Sequence, residues 1–182
     1  QRKEIKDLIA YFKLLVNPSD DTAFERIVNV PKRGIGPTGL EKIAYASRAQ
    51  GQTEFIYLKE NINDCPLTAK QKASWIGALA AMDKVKKIID EGERKIASVL
   101  EEFVDKIGYF KYLMDEEENY EDRIDNVKEL IGYAEAFLED DKNAKFEDFV
   151  NNAMLQSAQD DVLNGDYVSL MTVHTAKGLE YD

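Results

Sequence analysis

The chain has 182 residues, 44% of them hydrophobic, enough for one or at most two domains with a proper core. Its apolar runs span only a few residues against the ~20 that cross a bilayer, and no charged-then-apolar leader opens it, so neither membrane insertion nor secretion by a signal on this chain is expected. One cysteine, Cys65, and one histidine, His174, leave no internal disulfide and no cysteine- or histidine-rich metal site; a reducing cytoplasm and no metal are the expectation, and the net charge of −11 argues on its face against nucleic acid.

That average hides an asymmetry. Residues 1–50 carry nine Lys and Arg against six Asp and Glu, whereas the remainder carries 15 against 29. The basic part is at the front. Residues 115–148 hold 14 acids and four bases, including the run Asp115, Glu116, Glu117, Glu118, and read as a solvated surface.

In chain order, Ile5, Leu8, Ile9, Phe12, Leu15 and Val16 fall at spacings of three and four and predict a first helix, stopped by Asn17 and Pro18. Asp20 or Asp21 caps a second, short helix through Phe24 and Ile27. A glycine-containing loop follows, Pro31-Lys32-Arg33-Gly34-Ile35-Gly36-Pro37, and Thr38 with Glu41 predicts a capping box at the start of a third helix through Leu40, Ile43 and Ala46. Longer stripes follow at Trp75–Ile89, Ile96–Ile107 and Ile124–Leu138, with a shorter one at Phe146–Ala153. Most prolines and glycines, such as Pro66, Gly92, Gly108 and Gly165, fall between them, and no repeat or low-complexity tract occurs. Only residues 167–173, Tyr-Val-Ser-Leu-Met-Thr-Val, read as a strand. A lone strand leaves both edges unpaired, so its partners are expected outside this chain, in a larger protein.

Two stretches carry chemistry. Glycines on either side of Ile35 can take the positive φ that turns successive N–H groups one way, and such donors at a helix N-terminus suit a phosphate. Pro37 and Thr38 preset and cap the helix, Ile35 can plug the hairpin into the core, and Lys32 and Arg33 add charge. The loop resembles the helix-hairpin-helix pattern that holds a DNA backbone without reading bases; a plain interhelical turn is the alternative.

The second stretch, Val168-Ser-Leu-Met-Thr-Val-His-Thr-Ala-Lys-Gly-Leu-Glu-Tyr-Asp182, resembles motif V of the UvrD, PcrA and Rep group of superfamily 1 DNA helicases, V-x-L-M-T-V-H-x-A-K-G-L-E-F/Y, with Tyr181 where Phe is commoner. The front is similar to that group as well, in Arg2-Lys-Glu-Ile-Lys-Asp7, Ala10-Tyr11, Asn17-Pro18, Asp20-Asp21, Arg26-Ile27 and Pro31 to Gly36, and the middle in Asp122-Arg-Ile-Asp-Asn126. The resemblance implies an all-α fold: a multi-helix 2B-like accessory domain at 1–165 with a helix-hairpin-helix-like element, and at 166–182 one strand and loop of the returning RecA-like motor domain.

By the same resemblance, Gly34, Ile35 and Gly36, flanked by Lys32, Arg33 and Thr38, would contact duplex phosphates. Thr172 and His174 would contact the single strand, Glu180 would approach the ribose of ATP, and Lys177 and Gly178 would shape that loop. No G-x-x-x-x-G-K-[S/T] occurs, so this chain alone is not expected to hydrolyse ATP; ATP and Mg2+ belong to the intact helicase. The pairs Asp20/Asp21 and Asp140/Asp141 are not expected to bind metal, since adjacent helical residues do not face one another. The expected partners are duplex and single-stranded DNA, the remaining motor domains, and protein partners. Two roles stay open: a DNA-contacting accessory domain of a 3'-5' helicase, or an interaction or autoinhibitory module working through the acidic face. A free-standing helix-hairpin-helix protein would leave motif V unexplained.

Overall fold

A computed structural model of the chain describes residues 2–116 and 118–163. Within them every regular element is helical: α1 Lys3–Val16, α2 Asp21–Ile27, α3 Pro37–Ala49, α4 Glu54–Glu60, α5 Ala69–Asp90, α6 Ala97–Lys106, α7 Tyr109–Glu116, α8 Tyr120–Asp140 and α9 Phe146–Leu163. The strand expected at 167–173 and the boundary near 165 lie outside the described residues.

Helix α1 is the centre of the bundle, with α2, α8 and α9 packed against it. Its single expected stripe understates it: Leu8, Ile9, Ala10, Tyr11, Phe12, Leu14 and Leu15 are all buried, the mark of a helix surrounded by others. Two acids on α1 are buried too, and a buried charge is tolerated only when paired. Glu4 accepts from Arg123 Nη1 at 2.9 Å and Asn126 Nδ2 at 2.7 Å, fastening α1 to α8. Asp7 accepts from Arg26 Nε at 2.9 Å and from the Tyr109 hydroxyl at 2.9 Å, fastening α1 to α2 and α7. Burial and the neighbouring Asp7 charge both push the Tyr109 hydroxyl well above its ordinary pKa, so it stays a donor.

The core has two aromatic centres. One joins Phe12 of α1, Phe103 of α6 and Phe146 and Phe149 of α9, with ring centroids 5.5–6.5 Å apart. The other is a triangle of Phe24, Phe55 and Trp75 from α2, α4 and α5, at 5.7–6.4 Å. The expected stripes on α5, α6, α8 and α9 supply most of the remaining buried side chains, including Leu79, Met82, Leu100, Val104, Val127, Ile131 and Val150. Arg94, between α5 and α6, donates to the carbonyls of Leu138, Asp141, Lys142 and Ala144, closing the α8 C-terminus where the last carbonyls have no helical partner.

The starts of α2 and α3 are built differently. Asp20 caps α2 as expected, its Oδ1 accepting from Ala23 N–H at 2.9 Å. The capping box expected at Thr38 and Glu41 does not form. Helix α3 begins at Pro37 with Gly36 as N-cap and no side-chain cap, because Pro37 takes the first helical position and carries Thr38 past the cap. The box that does form is Thr68 with Gln71, at the start of α5.

Candidate nucleic-acid interface

The segment 28–36 joins α2 to α3 without regular structure, so its backbone groups must find partners elsewhere. Trp75 Nε1 donates to Val28 O at 3.2 Å and the Tyr11 hydroxyl to Val30 O at 2.6 Å. Asn29 Oδ1 accepts from two backbone N–H groups, those of Arg33 at 2.8 Å and Ile35 at 3.1 Å. From α5, Gln71 Nε2 donates to Gly34 O at 2.6 Å. Ile35 is 2% exposed and plugs the hairpin into the core.

Arg33 differs from its expected role. Its side chain is 7% exposed and turned inward. Nη2 donates to the Tyr11 hydroxyl at 2.8 Å, Nη1 to the carbonyls of Ile27 and Pro31 at 3.3 Å, and the guanidinium stacks 4.6 Å from the Trp75 ring centroid. Burial raises the Tyr11 pKa while the Arg33 charge opposes it. Arg33 therefore acts as an internal brace whose head group is already engaged. Lys32 is exposed, but its Nζ lies 2.6 Å from Glu116 Oε2, the last residue of α7.

The glycines divide their tasks. Gly34 has φ 73°, the left-handed region that side chains disfavour. Gly36 does not: with φ −84° and ψ −173° it is extended, and a Cβ there would meet nothing within 4 Å. Its value is an open approach. Gly39 is close-packed, since a Cβ would lie 3.1 Å from Ile35 Cγ2. With no side-chain cap on α3, the backbone N–H groups of Thr38 and Gly39 stand at the open, partially positive helix end. Thr38, Glu41 and Lys42 are exposed around it.

At the α2–α4 junction Asp21 Oδ1 accepts from Glu54 N–H at 2.8 Å, while the buried Glu54 Oε2 and Thr53 Oγ1 have no protein partner. Burial, with the charges of Asp21 and Glu25, pushes the Glu54 carboxyl up to about 7 against the opposing Arg48. Cys65 is buried and its thiol is pushed up to about 11, so it is not an activated nucleophile. Among the described residues no group of three or more His, Cys, Asp or Glu could hold a metal ion, and no helix is long and apolar enough to cross a membrane.

The hairpin thus assembles Lys32, Gly34, Ile35, Gly36 and Thr38, and turns Arg33 away from them. Asn29, Gln71 and Trp75 belong to this assembly without having been singled out for it; only the Thr68-x-x-Gln71 spacing gave a local signal. Thr172, His174, Lys177, Gly178 and Glu180 lie outside the described residues.

The glycine loop lies at the surface of a bundle whose described residues form helices throughout, between α2 and α3. Residues 1–182 match the model of the UvrD-like helicase C-terminal domain, and the chain belongs to that family. It is similar to the ATP-dependent DNA helicase PcrA of Bacillus subtilis, 34% identical over 197 residues that cover 99% of this chain and 25% of the relative. The DNA helicase II of Rickettsia typhi is 32% identical over 187 residues, covering 100% of this chain and 27% of that protein. A PcrA of Staphylococcus epidermidis is 31% identical over 194 residues, covering 99% and 25%. The chain spans about a quarter of the length of these relatives. The resemblance carried by residues 168–182 and by the front of the chain holds at the level of the family, as part of a UvrD/PcrA-type superfamily 1 helicase.

Proposed function

We propose that this chain is the duplex-contacting accessory region of an ATP-dependent 3'-5' DNA helicase, a 2B-like domain at 1–165 followed at 166–182 by motif V of the motor. The observation that carries the reading is the hairpin. Its backbone is held from inside by Asn29, Arg33, Tyr11 and Trp75, and its Gly36–Gly39 face is left open with unpaired helix-end donors. Such a surface holds phosphate by geometry and by backbone dipoles, without base readout. Few side-chain charges assist it, so binding is weak, near or above the ~10⁻⁴ to 10⁻⁶ M non-specific range at physiological salt.

Motif V, through Thr172, His174, Lys177, Gly178 and Glu180, contributes to the single-strand and nucleotide sites only in the assembled motor. ATP with its Mg2+ is bound there, since the phosphate-cradling sequence is absent from these 182 residues. The cytoplasm is the proposed compartment.

One contact supports a second, regulatory role. The Lys32–Glu116 pair lays the acidic end of α7 against the flank of the hairpin, where it competes with phosphate for Lys32. A titration of the chain with a duplex bearing a 3' overhang, repeated at rising salt, tests the main reading. Weak binding that falls steeply with salt is expected; binding that ignores salt, or none at low salt, overturns it.

A further inference from the structure

The peptide unit between Gly34 and Ile35 is gripped at both ends. Its carbonyl accepts from Gln71 Nε2 at 2.6 Å, and its N–H donates to Asn29 Oδ1 at 3.1 Å. Gly34 is the hairpin residue with positive φ, so its ψ sets the direction in which the chain enters Gly36 and α3. Asn29 grips from within the hairpin; Gln71 grips from α5, a separate element 37 residues along the chain.

Gln71 does this while serving a second task with its other amide atom. Its Oε1 accepts from Thr68 N–H at 2.9 Å, and Thr68 Oγ1 accepts from Gln71 N–H at 3.3 Å, which is the α5 capping box. A primary amide has the acceptor and the donor that this double use needs. Glutamate serves the box equally well but would turn a second acceptor toward the Gly34 carbonyl.

We infer that Gln71 is a positioning residue for DNA binding. It touches no phosphate itself; it locks the Gly34–Ile35 peptide to the first turn of α5, so that the N–H groups of Thr38 and Gly39 are already aimed when the backbone arrives. The inference rests on the duplex-binding reading above. Without the clamp the hairpin must be ordered during binding, and that cost is subtracted from an interaction with few contacts.

The test separates the clamp from the cap. Thr68→Ala removes the half of the box made by Thr68 Oγ1 and keeps the clamp, whereas Gln71→Met removes the half made by Gln71 Oε1 and the clamp with it. Both variants of the 182-residue chain are expected to lose similar thermal stability. On a fluorescent duplex at low salt, Thr68→Ala binds within about twofold of wild type and Gln71→Met roughly five- to tenfold more weakly, the factor that one net hydrogen bond commands. A second pair covers failure of Gln71→Met to fold: Gln71→Glu keeps the box and loses the clamp, and Ala73→Glu adds the same charge to the same turn of α5, at an exposed position. Gln71→Glu is expected to bind severalfold more weakly than Ala73→Glu. Equal binding within either pair, with the wild type binding, overturns the inference and leaves the duplex reading standing. No binding by the wild type overturns the duplex reading, and this inference with it.

Discussion

Around Phe149 the packing is ring on ring: Phe12, Tyr133, Phe137 and Phe146 lie 5.5–6.1 Å from it, centroid to centroid, on regular helices. Around Arg33 the packing is ring, guanidinium and amide, with the carbonyls of Ile27, Val30 and Pro31 and the N–H groups of Arg33 and Ile35 all met by side chains. The difference follows from the backbone. A helix satisfies its own polar groups and asks its neighbours only for apolar contact, while an irregular hairpin must borrow donors and acceptors from side chains. Where a protein has to present main-chain donors to a ligand, it cannot bury them in regular structure. A polar interior beneath the loop is the consequence.

The largest expected effect lies on the aromatic side. Phe149→Ala should cost about 3–5 kcal/mol, read from the denaturant midpoint, because a fully buried ring leaves a cavity among others. The fraction that remains folded should bind duplex as wild type does; a parallel loss of affinity would show that the two regions are not separable.

Arg33→Met should cost about 3 kcal/mol, since three oxygen acceptors each lose a donor and the stacking on Trp75 is lost with them. Here affinity should fall in the folded fraction as well. A variant that folds and binds normally would reduce the brace to packing.

Glu54 sets a smaller, pH-dependent effect on the hairpin side. Its folded pKa, about 7, lies above the ordinary 4.5, so the folded state holds the extra proton between those values. Stability should therefore decline as pH rises from about 4.5 to 7 and level off above. In Glu54→Gln that slope should flatten, leaving the variant more stable than wild type at pH 8 in thermal melts. An unchanged slope would place the titrating group elsewhere.

The glycines give the finest contrast. Gly34→Ala should cost about 1–2 kcal/mol through its positive φ. Gly36→Ser should leave stability level or raise it by a few tenths of a kcal/mol, because serine is a good N-cap. It should still weaken duplex binding, since its hydroxyl would take the N–H groups that phosphate needs. Last, Glu116→Gln frees Lys32 and should raise affinity about two- to threefold at low salt, with the difference vanishing at high salt.

The helices of the aromatic side were legible because periodicity encodes a buried face directly: the stripes on α5, α6, α8 and α9 fall where those helices lie. Short α4 and α7 were not foreseen, since seven or eight residues hold too few turns to show a period. At the hairpin the sequence revealed the glycines and the plug Ile35, both local features. It did not reveal that Arg33 points inward, because its partners stand 22 residues away at Tyr11 and on a different helix at Trp75. Nor did it reveal that Gly34 rather than Gly36 takes the positive φ, at a peptide whose carbonyl is held by Gln71, 37 residues away. Arg26, Arg123 and Asn126, which helped to carry the family resemblance, are partners of the buried acids Asp7 and Glu4. Part of what marks the family is scaffold.

Trp75 is the chain's one tryptophan, and it lies under Arg33 with its indole N–H on Val28 O. Its emission is thus a built-in optical probe of the hairpin, while circular dichroism reports on all the helices together. When the chain is heated, coincident transitions would mean that loop and bundle melt as one unit; a fluorescence change that comes first would show the loop opening while the helices persist. A spectral shift on adding duplex, without any label, would report a ligand arriving above the same ring.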